Sequence, residues 1–169
     1  MSSDGTGERN LSGEDRVSRH MARLYHYIAR TLKEEIGRSE TERILEKAVW
    51  RYGEHCGRQA REETLARGED PDSDASGGLI DLCAVGPQVK DADGDVIVTS
   101  CLLADEWRRL GDMDLTRLYC LAHQPKYRAY NPKILCEYLQ NQLDGDEQCR
   151  LHLRVLQDAT EQPPPPGSM

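Results

Sequence analysis

Cys120 and His123 lie three residues apart in the stretch LYCLAHQPKYRAYNP, residues 118–132. On a helix this spacing puts both side chains on one face. A thiol within reach of an imidazole can serve as a nucleophile with its base, because the imidazole favours the thiolate. The same two groups can bind a metal such as zinc, and a cysteine can equally be a small buried core residue. Spacing alone leaves these three interpretations open.

The other five cysteines are spread widely along the chain. Cys101 and Cys149 could arrive at the same site from elsewhere in the fold, and with Cys120 and His123 they would make a Cys/His set suited to zinc. Packing is the better interpretation for the three cysteines on predicted apolar faces, which are Cys56, Cys83 and Cys136. No Cys-x-x-Cys pair occurs, and the wide spacing favours reduced thiols over a disulfide framework.

A basic and aromatic group surrounds the Cys-His pair in an otherwise acidic chain. Its members are Arg117, Lys126, Tyr127, Arg128 and Tyr130. A guanidinium beside a phenol suits a small carboxylate, through a bidentate contact and an added hydrogen bond. The alternative is a solvated loop.

The totals restrict the class of protein. The chain has 169 residues, which predicts one domain with one core, and a formal net charge of −8. Nucleic acid and anionic membranes are therefore not expected as partners, because both need a basic patch. No apolar run approaches the length of a membrane span, and the first residues lack the pattern of a signal peptide. We expect a cytoplasmic protein that binds a small molecule.

Two long helices are predicted to position these residues. The first should follow Ser12 and stop at Gly37, with an apolar stripe of Val17, Met21, Leu24, Ile28, Leu32 and Ile36. A capping-box pattern of Ser39 and Glu42 opens the second, which runs to about Arg67 and buries Leu45, Val49, Tyr52 and Cys56. Gly53 and Gly57 inside it indicate the close approach of a neighbouring helix or, alternatively, of a ligand.

The rest of the chain alternates between strands and short helices. After an acidic loop at 68–78, LIDLCAV and DVIVTSCLL indicate two strands around an Asp93-Gly94 turn. One helix follows Cys101 and ends at Gly111, and another spans about Leu115 to His123. KILCEYLQNQL is ambiguous between strand and helix, whereas QCRLHLRV alternates as a strand with Cys149, Leu151, Leu153 and Val155 on one face.

These elements predict an α+β fold, with two long N-terminal helices packed with short helices on a small antiparallel sheet. The predicted domain spans residues 13–158, between a disordered N-terminus at 1–12 and a disordered Pro-rich tail at 159–169. The long first helix and the Gly-x-x-x-Gly surface make a homodimer a possible assembly.

Three stretches carry a resemblance to a known family: RYGEHCGRQAREETLARG, CLLADEWRRLGDMDLTRLYCLAH and YNPKILCEYLQNQLDGDEQCRLHL. They contain a cysteine that opens the mid-chain helix, a Tyr-Cys pair and a closing Gly-Asp-x-x-Cys, here Cys101, Tyr119-Cys120 and Gly145 to Cys149. Over residues 14–157 the chain resembles the L-2-amino-thiazoline-4-carboxylic acid hydrolase family. It departs from the family pattern at His123, where an acid is common. The fold that the resemblance implies is similar to 4-vinyl-reductase-like and TRAPP-like ligand-binding domains.

The resemblance implies a hydrolase that opens a small cyclic amidine or thiazoline ring. Cys120 would attack the carbon between nitrogen and sulfur with His123 as its base, with Cys101 and Cys149 in the same site. Alternatively, these four side chains would hold a metal that lowers the pKa of water. Arg117 or Arg128 would hold the substrate carboxylate, with Tyr119 and Tyr130 also binding substrate. The competing hypothesis is a non-catalytic domain of the same fold that binds or senses a small molecule or a metal.

Overall fold

Two long helices form the first part of the computed structural model, which describes residues 12–73, 87–111, 113–161 and 163. The first, α1 (Gly13–Ile36), is capped by Ser12, whose side chain accepts from the Asp15 N–H at 3.0 Å while the Asp15 carboxylate accepts from the Ser12 N–H. Gly37, at φ 78°, separates it from α2 (Arg38–Ala66). Ala29 and Leu45, equally far from Gly37, share one core cluster, so the two helices form a hairpin.

The buried face of α1 is not the predicted stripe. Val17, Leu24, Ile28 and Ile36 are exposed, and only Met21 and Leu32 of the stripe are partly buried. The face that packs inward carries Ala22, His26 and Ala29. Small side chains are needed there because a neighbouring helix approaches the α1 backbone closely enough for the Trp107 indole N–H to donate to the Ala22 carbonyl at 2.9 Å.

The predicted start of α2 was also wrong. The helix begins directly after Gly37, so Ser39 and Glu42 lie inside it and no side chain caps its N-terminus. The Glu42 carboxylate accepts instead from Arg38, one turn earlier. Of the predicted buried face, Leu45, Val49 and Cys56 are buried and Tyr52 is 37% exposed.

The close approach predicted at Gly53 and Gly57 is confirmed, and a neighbouring helix is its cause. A Cβ added to Gly53 would overlap the Ala122 carbonyl, and one added to Gly57 would overlap the Lys126 carbonyl. These carbonyls belong to a 3₁₀ helix (Thr116–Ala122) that continues without a break into α4 (His123–Tyr130). The α2 backbone therefore fixes how closely the segment that carries Cys120 and His123 packs against α2.

The remaining helix and the sheet follow the predicted α+β pattern. α3 (Leu102–Leu110) begins after Cys101 and ends at Gly111, which has the left-handed φ of 74° that glycine permits. The sheet has the order β1-β2-β4-β3, with every pair antiparallel. Its strands are β1 (Gln88–Lys90), β2 (Val96–Val98), β3 (Ile134–Gln140) and β4 (Cys149–Val155).

The predicted hairpin is confirmed at its turn, where Gly94 has φ 86°, but the strand before it is β1. The segment LIDLCAV, with Cys83, lies outside the described residues, as do most of the two predicted disordered ends. The domain limits therefore stay predictions. Within the described ranges no helix is long and apolar enough to cross a membrane.

Two core clusters meet at the predicted site. The sheet cluster joins β2, β3 and β4 to α2 and α4, through Ala60, Val96, Tyr127, Tyr130, Ile134, Cys136, Cys149 and Leu151. The helical cluster joins α1 to α3, through Ala22, Leu103, Ala104, Trp107 and Leu143. Cys101, Tyr119 and Cys120 pack against the helical cluster, whereas Cys149 belongs to the sheet cluster.

Candidate functional site

An inner cavity of about 40 Å³ lies where the two clusters meet. Apolar side chains such as Leu103, Trp107 and Leu151 form much of its wall. The groups in its lining that can ionise or form hydrogen bonds include those of Cys101, Tyr119, Cys120, His123, Tyr138, Asn141 and Cys149. The structure thus brings together all four residues of the predicted Cys/His set and one of the predicted substrate-binding tyrosines.

An outer groove of about 490 Å³ adjoins the same residues. Cys120 and Tyr138 line both spaces, and the groove adds the polar side chains of Arg117, Gln124 and Glu137. Cys120 therefore stands between a small apolar cavity and a larger groove with charged walls.

Tyr138 connects the predicted nucleophile to the predicted base. Its hydroxyl lies 3.0 Å from the His123 Nδ1, with the two rings edge to face, and it is close enough to the Cys120 thiol for each group to influence the pKa of the other. The His123 Nδ1 lies 3.0 Å from the Cys120 carbonyl as well. The Tyr138 hydroxyl is thus a neighbour of both the thiol and the imidazole.

Burial keeps this chain of groups neutral at rest. It raises the pKa of the Cys120 thiol and raises that of the Tyr138 hydroxyl well above its ordinary value. Burial, with the nearby Lys126 cation, lowers the pKa of His123 to about 3. The Asn141 amide, the Arg117 charge and the Tyr138 hydroxyl act in the opposite direction on the pKa of Cys120, because they favour its thiolate.

The two flanking thiols are also protonated at neutral pH. Burial raises the pKa of Cys101 to about 11 and raises that of Cys149, whose sulfur accepts from the Gln142 N–H at 3.4 Å. Each has the Cys120 sulfur as a close neighbour whose charge would raise its pKa further. A single thiolate in this cavity is therefore favoured over two.

Of the two predicted substrate-binding arginines, Arg117 is the one that lines the outer groove beside Cys120. Its guanidinium donates to both carboxylate oxygens of Asp144, at 2.8 and 2.9 Å, and stands 5.2 Å from the centre of the Tyr138 ring. Asp144 is about half exposed. Its carboxylate therefore binds the Arg117 guanidinium with both oxygens from the solvent side.

Arg128 and Tyr130 are not brought to the inner cavity. Arg128 follows His123 by five residues on α4, and five residues of helix turn a side chain by about 140° from its starting direction. Arg128 donates to the Pro163 carbonyl at 2.9 Å, and Pro163 in turn lines the outer groove. Tyr130 is buried in the sheet cluster, with its hydroxyl 3.5 Å from that of Thr64.

The predicted zinc set does not form a metal site as its side chains stand. Among the described residues, no group of three or more His, Cys, Asp or Glu side chains is arranged to hold a metal ion. The Nδ1 of His123 is committed to Tyr138 and to a backbone carbonyl, and Cys149 to a backbone N–H. Zinc binding by this set stays a prediction, and we assign no step to a metal.

Tyr138 and Asn141 are the site residues that the sequence reasoning missed. Both lie at the end of KILCEYLQNQL, which was ambiguous between strand and helix. As strand β3, it places Tyr138 on the same face as Cys136, two residues earlier. A shift in the pairing with β4 between Tyr138 and Gln140 leaves Leu139 as an extra residue, and such bulges redirect the side chains beside them.

Comparison with known proteins gives the family of the chain. Residues 18–153 match the family model described as L-2-amino-thiazoline-4-carboxylic acid hydrolase. The chain belongs to this family. A search of curated proteins finds no match. Among solved structures, the chain is similar to a trafficking protein particle complex subunit 3 from Naegleria fowleri covalently bound to palmitic acid, with 12% identity, 82% of this chain and 95% of that chain covered, and a TM-score of 0.48.

Proposed function

We propose that the protein is a hydrolase that opens a 2-amino-thiazoline-4-carboxylate-like ring, with Cys120 as the nucleophile. The observation that carries the proposal is the Cys120–Tyr138–His123 chain, which links a thiol between two cavities to an imidazole held neutral by burial. The name of the family supports the reaction class. The residues supply the nucleophile, the proton path and a cation for the carboxylate.

The first half of the reaction transfers the ring carbon to the enzyme. The Cys120 thiol gives its proton to the Tyr138 oxygen while the Tyr138 proton passes to the His123 Nδ1. The sulfur then attacks the carbon that is bonded to both nitrogen and sulfur, and the ring carbon–sulfur bond breaks. The ring sulfur leaves with the bonding pair and takes the proton back along the same path, which leaves an isothiourea on Cys120.

Water completes the reaction at the same carbon. Its oxygen bonds to the carbon and one of its protons goes to the nitrogen of the carbon–nitrogen double bond. The second proton passes through Tyr138 to His123 and returns to the Cys120 sulfur as the carbon–sulfur bond breaks. The carbon keeps the oxygen as a carbonyl, so the product is an N-carbamoyl amino thiol. The net reaction consumes one water.

His123 suits both states that this path requires. When its proton sits on Nε2, the bare Nδ1 accepts from the Tyr138 hydroxyl at 3.0 Å. Once Nδ1 is protonated, it has the Cys120 carbonyl as an acceptor at 3.0 Å. A histidine can therefore serve where the family commonly has an acid, and its lowered pKa means that it returns the proton readily.

Arg117 is the residue that we assign to the substrate carboxylate. It lines the outer groove beside Cys120, and it already binds a carboxylate, that of Asp144, in the bidentate geometry that a substrate would use. The substrate carboxylate would replace that of Asp144 on Arg117. This exchange costs little free energy, because the half-exposed Asp144 side chain can turn into solvent.

The second candidate is a non-catalytic domain that binds a small, largely apolar molecule. The observation that favours it is the raised pKa of every described thiol in the inner cavity, which leaves a neutral and mostly apolar pocket. Such a pocket would bind a ligand without reacting with it.

Mass spectrometry after incubation with L-2-amino-thiazoline-4-carboxylate in isotopically labelled water distinguishes the two. The hydrolase predicts a product heavier than the substrate by one labelled water, lost in Cys120→Ala and kept in Cys56→Ala, since Cys56 lines neither cavity. Equal turnover in Cys120→Ala would overturn the role of Cys120. Binding without product in the wild-type protein would support the second candidate.

A further inference from the structure

Asn141 is a buried amide whose orientation the fold determines. It is 1% exposed and follows β3 directly, after the bulge at Leu139. Its side-chain oxygen accepts from the Leu143 N–H at 2.9 Å, and its own backbone N–H donates to the Asp146 carboxylate at 2.6 Å. Because the oxygen is held by the turn, the amide nitrogen is directed away from it, and Asn141 lines the inner cavity.

The Nδ2 group of Asn141 has no acceptor in hydrogen-bonding geometry among the described residues. A buried donor without an acceptor destabilises the folded state, and such groups in native proteins call for an explanation in function. The Cys120 thiol lines the same cavity, and the Asn141 amide is a neighbour that favours its thiolate. A neutral thiol is a weak acceptor, whereas a thiolate is a strong one.

Two other groups favour the same charge on the same sulfur. The Tyr138 hydroxyl lines the same cavity as Cys120, and both it and the Arg117 charge lower the pKa of the thiol. The three come from different elements: the 3₁₀ helix, β3 and the turn after β3. Their convergence on one sulfur is not a by-product of a single helix or strand.

We propose that Asn141 is a positioning residue, which donates its free Nδ2–H to Cys120 as the thiolate forms and thereby sets the reactivity of that cysteine. The proposal rests on the proposed role of Cys120 as a nucleophile. It assigns to Asn141 no contact with the reacting ring. The unsatisfied donor of the resting state gains its acceptor only when Cys120 is charged.

The test is the pH dependence of alkylation, which needs no turnover. Wild-type protein and the Asn141→Asp variant are treated with iodoacetamide over a range of pH, and the labelling rate of each cysteine is measured by peptide mass spectrometry. Asn141→Asp keeps an oxygen for the Leu143 N–H but loses the donor. We expect Cys120 to be alkylated about tenfold more slowly near pH 8, with its midpoint moved to higher pH by about one unit. An unchanged pH profile would overturn the proposal.

Asn141→Ala provides a second variant without an added carboxylate, and it too must raise the midpoint. Asp146→Asn is the matched control, because it weakens the bond that Asp146 makes to the same turn and leaves the amide in place. A rise in the control equal to that in Asn141→Asp would assign the effect to the turn and overturn the proposal. Buried Cys56, which lines neither cavity, reports on unfolding, since labelling through an unfolded state would modify it at the same rate as Cys120.

Failure of this inference and failure of the proposed function give different results. If Cys120 alkylation responds to Asn141 but no ring-opening product forms, Asn141 still acts on the thiolate and the reaction is a different one. If the product forms and the alkylation profile is the same in all variants, Cys120 catalyses without help from Asn141, and the inference is wrong.

Discussion

Tyr138 determines what the Cys120–His123 pair can do. A cysteine in direct contact with an imidazole forms an ion pair at rest and stays reactive towards any electrophile. In the mechanism that we propose, the phenol lies between them and burial lowers the pKa of His123 to about 3, so that the thiol stays protonated until a substrate draws the proton along the path. The arrangement favours selectivity over resting reactivity.

The lowered pKa of His123 predicts a loss of stability in mild acid. The unfolded chain binds a proton at about pH 6.5, but the folded protein does so only near pH 3. The contribution of His123 to the free energy of unfolding is therefore complete above pH 6.5 and falls below it, by up to about 1.4 kcal/mol per pH unit. We expect chemical denaturation between pH 6.5 and 5 to show this slope and His123→Gln to flatten it.

His20→Gln is the control for that experiment, because His20 is exposed on α1. It should leave the slope as in the wild type. The chosen pH window lies above the range in which the buried carboxylates Asp95 and Glu106, both with lowered pKa values, take up protons. A slope that persists in His123→Gln would show that another group is responsible.

Single residues of the site were predictable only where type and local spacing carry the information. Cys120 and His123 stand out by spacing, and Cys101 and Cys149 by the motifs around them. Tyr138 and Asn141 do not, because their roles depend on a bulge and a turn that bring β3 back to the 3₁₀ helix. Arg128 has a side chain whose type suits a carboxylate, but α4 turns it away from His123, and its part in substrate binding stays a prediction.

At the scale of elements, the 3₁₀ helix and α4, which carry Cys120 and His123, pack against α2. Its two glycines let the carbonyls of Ala122 and Lys126 rest on its backbone, and these carbonyls flank His123 in the chain. A residue with a side chain at either position would push the 3₁₀ helix and α4 outwards. The geometry between His123 and Tyr138 depends on this contact.

Gly57→Ala tests the contact. Alanine favours a helix over glycine by about 1 kcal/mol, but here its Cβ would overlap the Lys126 carbonyl and the Ala129 side chain. Backbone cannot move as a flexible side chain does, so we expect the overlap to dominate and the free energy of unfolding to fall by about 2 kcal/mol. Denaturant titration measures the change.

The matched variant is Gly13→Ala, at the first position of α1, where an added Cβ meets no atom within 4 Å. It should be neutral or stabilise the protein by up to about 1 kcal/mol. If the two substitutions change the free energy of unfolding equally, the contact between Gly57 and α4 does not limit the side chain at position 57.

Helix existence was more predictable than helix orientation. Periodicity and caps located α1 and α3 closely, because these signals are local. The inward face of α1 was wrong, since Trp107 and the buried Glu106 require small and basic partners there: Ala22, Arg19 and Arg23. The apolar residues Val17, Leu24 and Ile28 were left on the outside. Hydrophobicity alone does not report which partner a helix will meet.

At the scale of the whole molecule, the site lies on the seam between two cores. The helical cluster carries Cys120 and the sheet cluster carries Cys149, so the cavity exists only when both are packed against each other. The α+β class was predictable from the succession of periodic segments. The seam was not, because it depends on contacts between distant parts of the chain, such as the hydrogen bond from the Arg108 guanidinium on α3 to the Gln142 carbonyl after β3.

The most direct test of Cys120 as the nucleophile is to trap the covalent intermediate on its sulfur. Wild-type protein is mixed with L-2-amino-thiazoline-4-carboxylate, quenched in acid at short times, digested and analysed by mass spectrometry. If Cys120 attacks the ring, the peptide that contains it gains the full mass of the substrate, since the ring opens without loss of atoms. This modified peptide should then decay as the product accumulates. Product formation with no adduct on Cys120 at any time, and with Cys120→Ala equally active, would contradict this role of Cys120.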